Sequence, residues 1–222
     1  VSHFIEGGYP AEALKAYLMS IANSNFEEWT DENKSYNIDD FKFSFAKMSL
    51  DGVLFDQDKL DFFSKEIIAL FSAEELYSRL LSWSEKFDAN LHQYLEKYQQ
   101  ISVKALNIER GGEKARKDFS NYAQVYPIIG FFYTERYAEI VKEGYPFNPA
   151  IDANVIKEVL SDFATSNDYS LANDVWFSTV KELGVKHGFA ESNKIYKQAP
   201  ERYKGHVGDV AEMIRVALCG AK

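Results

Sequence analysis

An all-α fold is expected, and three observations point to it. No glycine or proline falls between Gly52 and Gly111, which leaves an unbroken stretch long enough for several helices in succession. Apolar residues recur at helical spacing in one segment after another. Tyr and Phe together number 31 of 222 residues, enough large rings to fill a helical core.

The elements follow in order. Pro10 suits a first helical position, and Leu14, Tyr17, Leu18 and Ile21 then share one face. Phe41-Lys42-Phe43-Ser44-Phe45 alternates with period two but has no partner strand nearby, so an extended, unpaired segment is expected there. Ser72-Ala73-Glu74-Glu75 has the form of a capping box and opens a helix carrying Leu76, Leu80, Trp83 and Phe87. Leu91, Tyr94, Leu95 and Tyr98 continue the pattern. Asp152 is placed to cap a helix with Ile156, Val159, Leu160 and Phe163 inward, and a last helix is expected from about Val207 to Leu218, stopped by Gly220. Turn signals cluster at Gly144-Tyr145-Pro146 and Pro149. The boundary between two helical subdomains is therefore expected there, giving 1–146 and 147–222, with Gly111-Gly112 a break inside the first.

Composition removes several function classes. With 46% hydrophobic and 27% charged residues the chain is globular. Its net charge of −9 argues against general attraction to nucleic acid or anionic membrane. The acidity lies in residues 1–100, with 9 basic and 18 acidic groups, whereas residues 101–222 carry 16 of each. Two stretches are locally positive, Lys104–Lys117 and residues 181–222, each with a net of +3. A single cysteine, Cys219, forms no internal disulfide, and no Cys/His set has zinc spacing, which suits a reducing setting. No apolar run approaches a membrane span, and the first residues lack the form of a signal peptide. The missing initiator Met leads us to expect a piece of a longer chain.

No catalytic group and no metal site is expected. His3, His92, His187 and His206 lie in no nucleophile pattern. The acidic pairs Glu27-Glu28, Asp39-Asp40 and Glu74-Glu75 read as solvated faces, and there is no Walker loop or dinucleotide fingerprint. Two strings imitate class I aminoacyl-tRNA synthetase motifs. Lys47-Met48-Ser49 begins like the Lys-Met-Ser-Lys-Ser loop but continues with Leu50. Gly205-His206-Val207-Gly208 is a partial match to His-Ile-Gly-His in the wrong order along the chain. Both read as ordinary loops.

Phosphate and base recognition is the better-supported class. Gly111-Gly112 with Arg110, Lys114, Arg116 and Lys117 sets cations around a flexible turn, with Asn107, Asn121, Tyr122 and Tyr126 near in sequence for stacking or hydrogen bonding. Lys194, Lys197, Arg202 and Lys204 interleave with Tyr196 and Tyr203, a pairing suited to single-stranded RNA. Arg215 is a further candidate, within an apolar helix.

Taken along its whole length, the chain resembles the carboxy-terminal half of a bacterial glutamyl-tRNA synthetase. The opening Val1-Ser2-His3-Phe4-Ile5-Glu6-Gly7-Gly8-Tyr9-Pro10-Ala11-Glu12-Ala13-Leu14, with Tyr17-Leu18, looks like the segment after that family's lysine loop. Phe55-Asp56-Gln57-Asp58-Lys59-Leu60 resembles its Phe-Asp-x-x-Lys-Leu stretch. Leu183-Gly184-Val185 and Arg215-Val216-Ala217-Leu218-Cys219-Gly220 resemble its Leu-Gly-Val and Arg-Val-Ala-Leu-Thr-Gly stretches. Departures are Cys219 in place of Thr, the segment around Ser35 to Ala46, and a chain that stops just past Gly220.

The resemblance implies two helical subdomains like the anticodon-binding region of class I aminoacyl-tRNA synthetases. Residues 1–146 would be the stem-contact region and first anticodon-binding subdomain, and 147–222 the second. It also implies a tRNA partner gripped at the anticodon arm, an upstream catalytic domain in the same chain, no cofactor in this part with ATP and Mg used by the parent, and a cytoplasmic monomer. The family's glutaminyl relatives carry β-barrels instead, which the helical pattern here opposes. The competing expectations are a helical interaction or scaffold module without an RNA role and a stand-alone paralogue of the synthetase tail.

Overall fold

The computed structural model describes residues 2–48, 52, 54–112 and 115–222. Regular structure among them is helical, apart from one isolated parallel bridge between Ala190 and His206. The chain divides into two compact units, Val1–Tyr133 and Thr134–Lys222.

The first unit holds α1 (Ser2–Glu6), α2 (Ala11–Ala22), α3 (Phe26–Glu32), α4 (Gln57–Leu70), α5 (Ala73–Phe87), α6 (Ala89–Lys97), α7 (Gln99–Leu106) and α8 (Val125–Ile129). Pro10 is the residue before α2 rather than its first, and its carbonyl accepts from the Ala13 and Leu14 amides. The buried stripe of α2 is Ala13, Ala16, Tyr17 and Ser20; Leu18, expected inward, is 56% exposed. Small alanines let α2 lie close against α4, and the pair is pinned where the Asp56 amide donates to the Tyr17 hydroxyl at 2.8 Å. Asp56 then caps α4 through the Lys59 amide, and Ser72 caps α5 through the Glu75 amide as its sequence predicts. Asp88 stops α5 and opens α6, its carboxylate accepting from the Leu91 amide.

Leu60, Leu76, Leu80, Leu91 and Leu95 are fully buried in one core, each contributing roughly 1.5–3 kcal/mol over exposure. Behind it, Tyr94 stacks between Tyr126 and Tyr133 at 5.8 and 4.9 Å. The period-two segment is extended without a strand partner, as expected. Phe41 is buried against Phe26 and Trp29, while Phe45 is 84% exposed at the start of a short 3-10 turn, Phe45–Lys47. Side-chain and backbone donors take the place of a neighbouring strand: Asn23 Nδ2 donates to the Ser44 carbonyl and the Ser24 amide to the Lys47 carbonyl. Ser49 and Leu50 of the lysine-loop look-alike lie outside the described residues.

The second unit holds α9 (Thr134–Ile140), α10 (Ala153–Ser166), α11 (Asn173–Lys186), α12 (Asn193–Gln198) and α13 (Val207–Cys219). Its start lies ahead of the 146/147 joint that the turn signals suggested, because α9 packs with the residues that follow. The Tyr137 hydroxyl donates to the Ala217 carbonyl, and a Cβ placed on Gly220 would lie 2.5 Å from Ile140. Gly220 ends α13 at φ +74, the left-handed conformation that its sequence position implied. Asp152 caps α10 through the Asn154 amide. Gly184 brings α11 against α13, a Cβ there meeting Val210 at 3.2 Å. Val159, Val180, Phe189 and Val210 form the centre of this smaller core.

Candidate nucleic-acid interface

The second unit builds its cationic segment as a closed hoop. Gly188 turns the chain out of α11 at φ +87, and the ends of the hoop are tied by three backbone hydrogen bonds: Lys204 amide to Gly188 carbonyl, Ala190 amide to Gly205 carbonyl, and Val207 amide to Ala190 carbonyl, at 3.0, 2.9 and 2.9 Å. Gly205 closes it at φ +154, where a Cβ would fall 2.6 Å from an Asp209 carboxylate oxygen and 3.1 Å from the Phe189 ring. Only glycine fits that position. His206 then caps α13. Its Nδ1 accepts from the Gly208 amide at 2.9 Å and its own amide donates to Asp209 at 2.7 Å, so the Gly-His-Val-Gly string is a helix start and not a nucleotide-binding loop.

The hoop displays Lys194 and Lys197 one turn apart on α12, then Arg202 and Lys204, all exposed, against Glu191 and Glu201. Arg202 lies 3.9 Å from its neighbour Glu201, a solvated contact of little consequence. Lys194, Lys197 and Lys204 have no ion pair among the described residues. Lys204 lays its aliphatic stem along Gly188 and leaves its ammonium in water. Tyr196 is half-buried against the His206 ring at 5.8 Å, and Tyr203 is also half-buried. Arg215 is exposed on α13 and lowers the Cys219 thiol slightly against the burial that raises it.

The first unit treats its cations differently. Arg110 turns inward. Its Nε donates to the Leu106 carbonyl at 2.7 Å, and its Nη1 donates to the Ile68 and Phe71 carbonyls at 2.8 and 3.2 Å, so it caps the C-terminal ends of α4 and α7 together. Burial lowers its pKa, and Asp118 offsets that only in part. Arg110 thus has a structural occupation that its sequence position concealed. Arg116 pairs with Asp118, and Lys117 with Glu66 at 2.6 Å. Lys114 lies outside the described residues. The expected base-contacting neighbours are mostly committed elsewhere. Asn121 and Tyr122 are buried, Tyr122 packing edge-on to Trp83, and Tyr126 belongs to the tyrosine stack; Asn107 alone is exposed, capping α7. Sequence reasoning missed Phe62 and Leu70, which stand exposed on α4 beside the Gly111-Gly112 turn. A helical stripe that keeps two large apolar residues off the core face was the available signal.

A third charged cluster is structural. Arg79 reaches Glu12 at 2.8 Å and Glu75 at 2.9 Å and covers the Phe71 ring at 4.0 Å, joining α2 to α5. Burial, the largest single influence, would raise the Glu12 carboxyl, but the Arg79 hydrogen bond, its own backbone amide and the charges of Arg79 and Lys15 together bring it below its ordinary value. In the second unit Asp162 accepts from Lys186 and His187 at 2.7 and 2.8 Å, and both partners hold its carboxyl low. Among the described residues no helix is long and apolar enough to cross a membrane.

Comparison with known proteins gives consistent results. No family model matches, and no solved structure matches. The chain is 38% identical over 220 residues to the glutamate–tRNA ligase of Acetivibrio thermocellus, covering 99% of this chain and 40% of that protein. It is 33% identical over 218 residues to the glutamate–tRNA ligase of Clostridium perfringens, at 98% and 40% coverage, and 33% identical over 224 residues to that of Sorangium cellulosum, at 100% and 38%. The chain therefore spans about two-fifths of the length of the curated relatives it matches. Over nearly its whole length, this chain is a homologue of one part of the glutamate–tRNA ligases.

Proposed function

We propose that the chain is the carboxy-terminal, tRNA-binding part of a glutamate–tRNA ligase. The second unit grips the anticodon arm through the 188–206 hoop, and the first unit braces the stem. The observation that carries this reading is the hoop itself. Three ammonium groups without ion-pair partners among the described residues stand beside half-buried tyrosines on a backbone fixed at both ends, the combination that binds single-stranded RNA. Lys194, Lys197, Arg202, Lys204 and Arg215 are the proposed contacts, with Arg116 and Lys117 a weaker second set whose carboxylate partners a phosphate must displace.

Bond-making belongs to an upstream catalytic domain in the same polypeptide, which uses ATP and Mg to join glutamate to tRNA. Exposed apolar side chains at the front of the first unit, Phe45, Leu54 and Phe55, suit an intramolecular neighbour of that kind. A cytoplasmic monomer completes the reading.

Filter binding of the 222-residue chain to total tRNA, with duplex DNA of equal charge as control, tests it. Selective retention of tRNA, with affinity falling steeply as salt rises, is expected. Equal retention of both nucleic acids, or of neither, overturns the proposal in favour of a scaffold module.

A further inference from the structure

A cleft of about 450 Å3 opens in the first unit between the segment 35–39 and helices α2, α4 and α5, a volume within the roughly 300–1,000 Å3 of small-molecule sites. Tyr36 shapes it. Its φ of +52 lies in the left-handed region that large side chains avoid, and its buried ring, edge-on to Phe63 at 6.2 Å, holds the turn in place. Ile38 and Asp39, which follow that turn, line the cleft together with Glu12 and Lys15 of α2 and Glu75 of α5. The rest of the lining is apolar. Ile67 and Phe71 are buried, and Leu70, at the end of α4, is 51% exposed.

The charged groups of the lining fall into two sets. Glu12 and Glu75 share the Arg79 guanidinium, at 2.8 and 2.9 Å, and are already answered. Lys15 and Asp39 are exposed and make no ion pair among the described residues, whether with each other or with a third group. Lys15 acts on Glu12 through its charge alone, from one helical turn away. The cleft therefore presents one unmatched cation from α2 and one unmatched anion from the 35–39 segment, with apolar surface beside both. Its balance is negative, since the carboxylates of Glu12, Asp39 and Glu75 face only the cations of Lys15 and Arg79.

We propose that this cleft binds a free α-amino acid with a large apolar side chain, its carboxylate on Lys15, its ammonium on Asp39 and its side chain against Leu70 and Phe71. A zwitterion with an apolar body answers both unmatched charges and the apolar lining at once. An apolar peptide segment leaves the two charges to water, and a second acidic group, as in glutamate, would meet the carboxylates of Glu12 and Glu75. The inference is independent of the tRNA-binding reading above and concerns a separate surface.

Ligand-observed NMR titration of the 222-residue chain with phenylalanine, phenethylamine, 3-phenylpropionate and glutamate tests it. Phenylalanine should bind best. Phenethylamine, which lacks the carboxylate, should bind about threefold more weakly, and 3-phenylpropionate, which lacks the ammonium, about fivefold more weakly because the cleft is negative on balance. Glutamate should show no binding. Lys15→Gln should bring phenylalanine down to the level of phenethylamine and leave phenethylamine unchanged, and Asp39→Asn should do the same with respect to 3-phenylpropionate. Leu70→Ser should weaken all three aromatic ligands alike. The three positions are exposed, and an unchanged melting temperature shows that each variant folds. Equal affinities for phenylalanine and its two single-charge analogues, unaltered selectivity in both charge variants, or no binding of phenylalanine by the native chain up to its solubility would each overturn the inference and leave the tRNA reading standing.

Discussion

Two segments of this chain look alike in sequence and behave differently in the fold. Arg110 to Lys117 and Lys194 to Lys204 each gather several cations beside glycines and near tyrosines. In the first, Arg110 is drawn inward to cap two helices, and Arg116 and Lys117 are matched with Asp118 and Glu66. In the second, a hoop tied by three backbone hydrogen bonds holds Lys194, Lys197 and Lys204 in water without ion-pair partners among the described residues. A local count of charges therefore overstates what is available to a polyanion. What matters is how many charges the rest of the fold leaves unmatched.

That contrast can be broken most directly by charge reversal. Lys194→Glu with Lys197→Glu and Lys204→Glu should lower tRNA affinity by about a hundredfold and flatten the salt dependence by about three units of slope. The same number of reversals at Arg116 and Lys117, with Lys114, should do distinctly less, and equal losses would erase the distinction between the two segments. Gly205→Ala comes next. Its Cβ would strike the Asp209 carboxylate and the Phe189 ring at a φ that side chains avoid, so we expect a loss of about 2 kcal/mol by chemical denaturation, with hoop and tRNA binding impaired together.

Arg110→Met sharpens the comparison from the other side. Three carbonyls lose a charged donor, and stability should fall by about 2 kcal/mol while the tRNA affinity of the folded protein changes less than twofold. A tenfold loss of affinity at unchanged stability would return Arg110 to the binding surface. Acid titration probes the clamp between α2 and α5. Because the folded Glu12 carboxyl lies below its ordinary value, its contribution is complete above about pH 4.5 and is lost as pH falls through the lowered value. Arg79→Met should remove that part of the acid transition. The smallest effect is expected for Lys117→Gln, below about 1 kcal/mol by thermal melting, since the Lys117 side chain is 45% exposed, though its Glu66 partner is only 18% exposed.

Helix starts were legible because their signals are local. Ser72 and Asp152 cap through amides two or three residues away, and Gly220 ends α13 by its own backbone conformation. Side-chain destinations were not. Leu18 follows the apolar period of α2 yet faces water, because the close packing of α2 on α4 is made by Ala13 and Ala16. Tyr122 has the composition of a base-stacking residue and is buried beside Trp83. Phe62 looks like a core residue and stands in an open groove.

Spacing, caps and composition alone determined an all-α chain, the order of its main helices, and which two stretches hold excess cations. These depend on contacts within a few residues and on the 3.6-residue period. Only the tertiary structure decided which cations are free, where the two units part, and which aromatic rings are exposed. Those outcomes turn on partners such as Glu66, Ile68 and Ala217, tens of residues distant, whose approach no local pattern encodes.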